Sequence, residues 1–505
     1  MWIAIRLPQL PLEIFLRGSS TPEPFAIEER HCVAACDRKA AARGVSAGMA
    51  VSAALAFAPR LRIMARDLAA ETEALLGIAG WAAQFTPAVA IEFPDAVVLL
   101  EVSGSLKLFH GLESLIESLR RGIDAMGYSA TLAGAPTPRA ASWLARAGEQ
   151  KFILDKAEIG QVLDALPVAA LRCGDEMLAA LQAIGVRTLG ELRALPRAGV
   201  ARRFGQAPLD DLDRALGRLP DPRNFFVPPA KFSAGLELPA EVTQTEALLF
   251  AVKRLIVQLA GFLAARSGGV QRFTLKLAHR DSAAIEVVVG LIAPSRDAGR
   301  FTLLLRERLD GLALREPVRR IALEADDVVP LPGRNLGLLP GEGGASGDWE
   351  HLIERLRSRL GAGAVHGLAT CAEHRPERAF AVSDPGTKKQ SRLDFGPLLP
   401  APSPASSGRR EQTAPLSTPW RGNGGEVRPF WLLDSPKPLR ETGAAPDYQG
   451  PLELLAGPER IESGWWDGDD IVRDYFIART RSESLVWIYR ERRGEGGWYL
   501  HGVFA

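Results

Sequence analysis

The sequence predicts a multidomain protein of the α/β and α+β classes, and three stretches support this prediction. Residues 88–111, AVAIEFPDAVVLLEVSGSLKLFHG, predict a strand, a tight Pro-Asp turn, a second strand and the start of a helix. Residues 231–327 predict the order strand, helix, strand, strand, helix, strand. The last 79 residues predict a small module rich in strands and tryptophan. A chain of 505 residues has ample length for several buried cores.

Composition is that of an ordinary globular protein. Hydrophobic residues make up 47% and charged residues 24%, and we expect no apolar run long enough to cross a bilayer. The first residues carry neither a basic leader nor a small-residue cleavage site, so a secretory signal is not expected. We therefore expect a soluble, cytoplasmic protein with no membrane partner. The net charge of +1 does not by itself indicate nucleic acid.

The four cysteines do not predict a metal centre. Cys32 and Cys36, with His31, could form half of a zinc site, but no second Cys/His pair stands at ligand spacing. Cys371 and His374 lie in one loop without a distant partner residue. We expect reduced thiols, no metal and no cofactor.

The first 165 residues predict an α/β layer. The predicted elements are a strand at 2–6, an alanine-rich helix at 34–43, a short helix through 55–58, a helix at 71–85, strands at 89–93 and 96–102, a helix at 112–126, a strand at 130–134 and a helix at 138–147. This order predicts a mixed sheet with helices on one face.

Several blocks in fixed order carry a resemblance to a known family. The first strand, ACDRKAAARGVSAGM, LLEVSGSLKLFHG and ATLAGAPTPRAASWLARAG resemble the palm and fingers of the Y-family (DinB/UmuC-like) translesion polymerases. The blocks IRLPQLPLE, HRPERAF, GPERIESGWWDGDDIVRDYF and WYLHGVFA resemble its catalytically inactive, ImuB-like branch, whose members are polymerase-like subunits of an SOS mutagenesis complex.

The resemblance implies a domain order. The expected parts are a palm and fingers-like domain at 1–165, a helical thumb with a helix-hairpin-helix at 166–230, a βαββαβ little-finger-like DNA-binding domain at 231–327, a clamp-peptide and helical segment at 328–381, a disordered linker at 382–426 and a C-terminal partner-binding, β-rich module at 427–505. The linker is expected from its content of Pro, Ser, Gly and charge.

The resemblance implies that the polymerase centre is degenerate. Where active relatives carry the first metal-binding Asp, this chain has Arg6, and where they carry the Asp-Glu pair of the hairpin it has Ala96 and Val97. Where they hold the triphosphate with Tyr and Arg, it has Arg38 and Ala41. Because polymerase chemistry depends on magnesium held by acidic oxygens, we expect no catalytic residue at these positions.

Three carboxylates remain near the hairpin. Glu92, Asp95 and Glu101 have a spacing that does not suit one shared metal ion, so we interpret them as a solvated hairpin corner and strand face. The alternative is an active translesion polymerase that uses displaced carboxylates.

The pattern LAALQAIGVRTLGEL at 178–192 indicates a helix-hairpin-helix. The turn would expose backbone N–H groups at a helix N-terminus, where DNA phosphates bind without sequence readout. Ordinary helical hairpins share this pattern, and its position after a palm favours DNA contact. The expected phosphate contacts are Gly185, Val186, Arg187, Thr188, Arg202 and Arg203.

The little-finger-like domain contains an alternating strand. Phe273 and Leu275 should face the core, whereas Arg272 and Lys276 should face outward. Because the segment 231–327 holds 14 Lys and Arg against 12 Asp and Glu, the charge excess is small. An ordinary solvated sheet fits the pattern alone, and with the resemblance we expect DNA phosphates at Arg272, Lys276 and Arg280.

A clamp-binding peptide is expected after the little finger. The resemblance places it at Asn335, Leu336, Leu338 and Leu339, although Asn replaces the usual Gln and Leu the usual aromatic residue. A rival lies at 390–395, QSRLDF, which fits the Gln-x-x-Leu-x-Phe version better.

The tail holds five of the ten tryptophans, among them the adjacent pair Trp465 and Trp466, of which we expect one to be exposed. The resemblance implies that this region binds an ImuA-like companion protein and an error-prone C-family polymerase catalytic subunit. The expected function is a non-catalytic adaptor that binds damaged primer-template DNA and the replicative sliding clamp in translesion synthesis. A DNA-free interaction scaffold is a further alternative.

Overall fold

The computed structural model describes most of the chain as two compact units, Met1–Ala364 and Val365–Ala505. The described residues are 1–17, 23–171, 173–280, 282–314, 316–331, 344–385, 428–429, 431–442, 445–494 and 496–504.

The elements of the first α/β layer are β1 Trp2–Arg6, α1 Leu10–Leu16, β2 Phe25–Glu29, β3 Cys32–Cys36, α2 Arg38–Ala41, α3 Val51–Phe57, β4 Arg62–Ala65, α4 Leu68–Ala82, β5 Val89–Glu92, β6 Val97–Glu101, α5 Leu112–Ala125, β7 Thr131–Ala135 and α6 Pro138–Arg146. The layer has the predicted order of elements from α4 onward, and before α4 it contains four elements that were not predicted, α1, β2, β3 and β4.

The main sheet of this layer has the order β5-β6-β1-β7, and all its pairs are antiparallel. The prediction of a mixed sheet with helices on one face was therefore wrong. Ile3 and Ile5 enter one core, and Ala4, between them, enters a second core that contains Trp143 of α6. Both faces of the sheet are covered because β1 is apolar at every position from Ile3 to Ile5, as expected of a strand buried on both sides.

The fingers-like part is a three-stranded sheet of order β3-β2-β4. The predicted alanine-rich helix begins later than expected, because Cys32–Cys36 pairs with β2 as a strand and buries Val33. Asp37 then caps a helix of only one turn, its side chain accepting a hydrogen bond from Ala40 N.

The thumb is helical, as predicted. Its helices are α7 Ile159–Asp164, α8 Asp175–Ala183, α9 Leu189–Ala194, α10 Arg197–Phe204 and α11 Ala207–Ala215.

The little-finger-like domain is a βαββαβ unit with one added strand. Its elements are β8 Phe232–Val242, α12 Thr245–Ala265, β9 Gly268–Ala278, β10 Ile285–Ser295, α13 Ala298–Asp310, β11 Val318–Ala325 and β12 Val328–Pro330. The sheet order is β10-β9-β11-β8, and β12 pairs with the first residues of β9. Val328–Pro330 is thus part of the sheet and not the start of an exposed peptide as predicted.

Helix α12 is the core helix of this domain. Its apolar residues, including Leu255 and Leu259, pack under the sheet, and its Gly261 lies against Trp81 of α4. With 21 residues it is long and apolar enough to cross a membrane, contrary to our expectation from the sequence. Most of this helix is buried inside the domain, as is usual for such a helix in a globular protein.

The predicted segment 328–381 divides between the two units. Helix α14 Gly344–Leu360 packs on α13 and β10, where Glu354 forms an ion pair with Arg300 and accepts a hydrogen bond from Ile292 N. Residues from Val365 onward belong to the second unit.

The second unit contains a hairpin and a six-stranded antiparallel sheet. Its strands are β13 Gly367–Thr370, β14 Phe380–Ser383, β15 Trp431–Thr442, β16 Ala445–Asp447, β17 Glu453–Ser463, β18 Ile471–Arg479, β19 Leu485–Glu491 and β20 Gly497–Val503. The sheet order is β16-β15-β20-β19-β18-β17. Strand β14 extends two residues into the predicted linker, because Val382 and Ser383 pair with Leu368 and Gly367.

An aromatic stack forms one core of this sheet. Tyr475, Trp487 and His501 stack on one another, and the Tyr475 hydroxyl lies 2.9 Å from His501 Nδ1. His501 is fully buried, its Nε2 lies 3.9 Å from Glu377 Oε2, and Arg473 bonds the same carboxylate. Burial lowers the pKa of His501 to about 4.

Shortening a buried side chain at the centre of α12 should destabilise the first unit. Leu255→Ala removes a fully buried side chain between sheet and helices, and we expect a loss of roughly 2–5 kcal/mol in the free energy of unfolding. Lys253→Ala, on the exposed face of the same helix, is the control and should change it by less than about 0.5 kcal/mol. Urea unfolding followed by hydrogen exchange of the α12 amides measures both, and equal effects would contradict the assignment of α12 as a core helix.

Acidification should destabilise the second unit. Because the unfolded state binds a proton at His501 near pH 6.5 and the folded state only near pH 4, stability is full above pH 6.5 and falls between these values. Thermal unfolding between pH 7.5 and 4, followed by tryptophan fluorescence, measures this loss. His501→Gln should flatten the profile in that window, and an unchanged profile would argue against the buried neutral histidine.

Candidate nucleic-acid interface and polymerase-like centre

Arg6, Ala96 and Val97 come together at one end of the palm-like sheet. Arg6 is the register partner of Val97 across the β1–β6 pair, and Leu7 N donates to Ala96 O at 3.0 Å. Val97 is fully buried and Ala96 nearly so. The positions that the resemblance aligns with metal-binding residues thus share one location in the fold.

The side chain at the centre of this location is a guanidinium. Arg6 Nη1 donates to the carbonyl oxygen of Arg146 at 3.1 Å, and Arg146 Nη1 lies 3.5 Å from Asp95 Oδ2. Burial lowers the pKa of Arg6, the nearby charge of Arg146 lowers it further, and Asp95 opposes both. The local charge is therefore two guanidinium groups against one carboxylate.

The three nearby carboxylates have separate partners. Glu92 binds Arg223 and accepts a hydrogen bond from the Ser142 hydroxyl, whereas Glu101 lies 3.1 Å from the α-amino group of Met1. Asp95 pairs with Arg146. Within the described ranges, no group of three or more His, Cys, Asp or Glu side chains is placed to hold a metal ion.

The fingers positions aligned with triphosphate ligands lie on one short helix. Arg38 and Ala41 are the first and last residues of α2, and both are exposed. Arg38 is the only one of the two that carries a charge.

The helix-hairpin-helix is present at the predicted place. Helix α8 ends at Ala183, Gly185 has a φ of +86° in the turn, and Thr188 caps α9. The positive φ explains the glycine, since other residues adopt it at a cost. Val186 is buried against the thumb core, so its side chain cannot contact DNA.

The N–H groups of this turn already have an acceptor. Glu191 Oε2 accepts hydrogen bonds from Arg187 N at 2.7 Å and from Thr188 N at 3.1 Å, which completes a capping box. These bonds lower the pKa of Glu191. A phosphate would have to displace this carboxylate. The sequence carried the signal, because Thr188 and Glu191 have capping-box spacing, and our interpretation missed it.

The predicted cations of the thumb are accessible. Arg187, Arg202 and Arg203 are exposed, the last two in the final turn of α10. The guanidinium of Arg203 lies 5.4 Å from the ring centre of Phe204.

The predicted face pattern of the little-finger strand is present in β9. Phe273 and Leu275 are buried, whereas Arg272 is exposed and Lys276 faces the same side. Lys276 Nζ lies 2.7 Å from Glu324 Oε2 of β11 and 3.8 Å from Glu286 Oε1 of β10.

The predicted cations on the outer face of the little finger are of two kinds, those paired with a carboxylate and those without an ion pair among the described residues. The hydrogen bond that Lys276 donates to Glu324 raises the pKa of Lys276, so the ammonium group is charged but already paired. Arg272 and Arg280 are exposed, and among the residues that the structure describes neither forms an ion pair.

Both candidate clamp peptides lie outside the described residues. These are Asn335, Leu336, Leu338 and Leu339, and the rival segment at 390–395.

The second unit brings together three blocks that are distant in sequence. Arg375, from HRPERAF, donates to both carboxylate oxygens of Asp467, to Asp469 O and to Glu373. Its hydrogen bonds lower the pKa of Glu373 and of Asp467 to about 2. Glu377, from the same block, bonds Arg473 and lies beside His501 of the last strand. Sequence reasoning noted these blocks but not their contact.

Comparison with known proteins gives three further findings. A family model described as IMS, impB/mucB/samB family, matches residues 17–146. Two curated relatives, "Protein ImuB" of Caulobacter vibrioides strains NA1000 / CB15N and ATCC 19089 / CIP 103742 / CB 15, are each 30% identical over 487 residues, which is 92% of this chain and 100% of the relative.

Among solved structures, "Dbh Ternary Complex (substrates partially disordered)" covers 64% of this chain and 98% of its own, at 19% identity and a TM-score of 0.37. "Crystal Structure of DinB from Sulfolobus solfataricus" covers 66% and 99%, at 19% identity and a TM-score of 0.36.

The match to the curated relatives covers their whole length and 92% of this chain at 30% identity, so it includes both the palm-like sheet and the C-terminal strands. The chain therefore belongs to the ImuB family of Y-family polymerase-related proteins.

Proposed function

We propose that this chain is a non-catalytic, Y-family polymerase-like adaptor in translesion synthesis and SOS mutagenesis. It binds damaged primer-template DNA and the replicative sliding clamp in the cytoplasm, and it recruits an error-prone C-family polymerase catalytic subunit together with an ImuA-like companion protein. It uses no metal and no cofactor of its own.

The observation that carries the non-catalytic part is the charge at the polymerase-like centre. By Coulomb's law, a divalent ion about 4 Å from a guanidinium is repelled by about 8 kcal/mol at an effective dielectric constant of 20. Asp95 can offset one guanidinium, which leaves the other of the pair Arg6 and Arg146 uncompensated. Two-metal phosphoryl transfer needs the opposite charge at this position.

DNA binding is supported by exposed arginines on two domains of one compact unit. Arg187, Arg202 and Arg203 lie on the thumb, and Arg272 and Arg280 on the little finger. Arginine binds phosphate with paired N–H donors and stays charged at all relevant pH values. Binding through such contacts is independent of base sequence and weakens with salt.

A DNA-free scaffold is the second candidate, and two observations favour it. Lys276 is engaged by Glu324 and Glu286, and the hairpin N–H groups of Arg187 and Thr188 are engaged by Glu191. Both features reduce the phosphate-binding capacity that the sequence suggested. The adaptor remains our conclusion because the exposed arginines do not depend on either feature.

Clamp capture is assigned to Asn335, Leu336, Leu338 and Leu339, with the segment at 390–395 as the rival. Both are short apolar peptides of the kind that docks in a groove of a partner. Recruitment of the companion protein and of the polymerase is assigned to the C-terminal module as a whole.

The purified protein should not extend a primer. With Mg²⁺ or Mn²⁺ and all four nucleotides, we expect no incorporation above a protein-free control, because no acidic pair replaces Ala96 and Val97. Gel analysis of a labelled primer measures this. Incorporation that is lost in Asp95→Asn or Glu101→Gln would instead support an active polymerase that uses displaced carboxylates.

Cations of the little finger should contribute unequally to DNA affinity. Arg272→Ala should weaken binding to a primed template, by about 1 kcal/mol or roughly 5-fold for one lost phosphate contact, and should reduce the salt slope by about 1. Lys276→Ala should have a smaller effect, because this lysine is paired with Glu324.

Fluorescence anisotropy from 50 to 200 mM salt measures both variants, with Lys253→Ala as the matched control on an exposed helix face. Wild-type binding that is absent, or insensitive to salt, would favour the DNA-free scaffold. An effect of Lys276→Ala larger than that of Arg272→Ala would contradict the division of these cations.

A further inference from the structure

The loop between β17 and β18 carries two adjacent, exposed tryptophans. Trp465 is 79% exposed and Trp466 56% exposed, and their ring centres lie 5.4 Å apart at an interplanar angle of 83°. Exposed aromatic pairs are uncommon on protein surfaces and are enriched where a partner binds. The sequence predicted that one of the two tryptophans would be exposed, whereas both are exposed.

This loop is held in one conformation by side chains from another part of the chain. Arg375 is almost fully buried beneath it, bonds Asp467 and Asp469 O, and its guanidinium lies 5.8 Å from the ring centre of Trp466. Gly464 has a φ of +89°, and a Cβ there would lie 2.5 Å from Asp469 O. A loop ordered in advance loses less entropy on binding, which favours affinity.

The charge around the pair selects the class of partner. Residues 462–470 contain four carboxylates and no Lys or Arg. Three of the four are paired with arginines from outside the loop, namely Arg375, Arg378 and Arg493, and Arg375 also serves Glu373. The bonded network beneath the rings, Glu373, Asp467 and Asp469 with Arg375 and Arg378, has one carboxylate in excess, whereas Asp470 pairs with Arg493 and Glu462 lies near Arg460.

We infer that this loop, with Trp465 and Trp466 at its centre, docks a basic amphipathic segment of a protein partner. Apolar side chains of the segment pack on the indole rings, and its Arg or Lys side chains reach Asp467 and Asp469 or stack on the rings as cations. The surplus negative charge disfavours nucleic acid and anionic lipid. It also disfavours a second copy of the loop, which would bring the same charge.

This inference rests on the proposed role of the C-terminal module in recruitment, and it adds the chemistry of the recruited surface. The test uses three labelled peptides that share one Leu/Ala helical pattern and carry Arg, Gln or Glu on the polar face. A labelled single-stranded oligonucleotide is the fourth probe. Each is titrated with the full-length protein, and fluorescence anisotropy gives the affinity.

We expect the Arg peptide to bind at least about 10-fold more tightly than the Gln peptide, and the Glu peptide and the oligonucleotide to show no binding that depends on Trp465. Trp465→Ala should weaken the Arg peptide by about 10-fold or more. Trp431→Ala is the matched control, because Trp431 is 69% exposed on β15 outside the loop, and it should leave the affinity unchanged.

Asp469→Asn separates charge from packing, since it should weaken the Arg peptide and not the Gln peptide. Equal affinity of the Arg and Gln peptides, or wild-type affinity in Trp465→Ala, would overturn the inference. Binding of the oligonucleotide that is lost in Trp465→Ala would assign the loop to nucleic acid instead. None of these measurements uses primed DNA or the clamp, so their failure leaves those parts of the proposed function intact.

Discussion

The pairing of β1 with β6 is the constraint on which the first unit depends. Strand β1 has hydrogen-bonded neighbours on both edges and side chains in a core on each face, so every position from Ile3 to Ile5 is buried. The same register that fixes this strand brings Arg6 opposite Val97. At that meeting point the buried Val97 side chain and the Arg6 guanidinium, which donates to Arg146 O of α6, complete the packing of strand and helix.

The charges of this protein are arranged mostly as internal pairs. Glu92 joins the palm hairpin to Arg223, Lys276 joins three strands of the little finger, and Glu191 closes the thumb turn. Each pair stabilises a junction and also removes a cation or a donor from the surface. In the part of the chain that the structure describes, Arg187, Arg202, Arg203, Arg272 and Arg280 remain exposed on the thumb and the little finger. A near-neutral net charge fits this arrangement.

The C-terminal unit is stabilised by an aromatic core and by one buried arginine. Its sheet has aromatic residues at the core, and a buried arginine organises the loop that connects two of its strands. Arg375 comes from the β13–β14 hairpin of the same unit and lies 92 residues before Asp467 in sequence. Three blocks that resemble one branch of the family are therefore in contact within one structural cluster.

The sequence by itself predicted the βαββαβ unit and the two helices with a glycine turn at 178–192, because local periodicity and turn residues carry that information. It also placed Arg272 and Lys276 on the outer face of β9 through simple alternation.

Only the tertiary structure decided which of the charged groups are already bonded within the protein and which are free to bind a partner. The partners of Lys276, Glu92 and Arg375 come from strands and loops distant in the chain, and pairing between distant residues leaves no local pattern. For the same reason residues 34–36, the last three of the strand Cys32–Cys36, were predicted as the start of a helix, since β pairing with Phe25–Glu29 outweighs the helical propensity of the alanines.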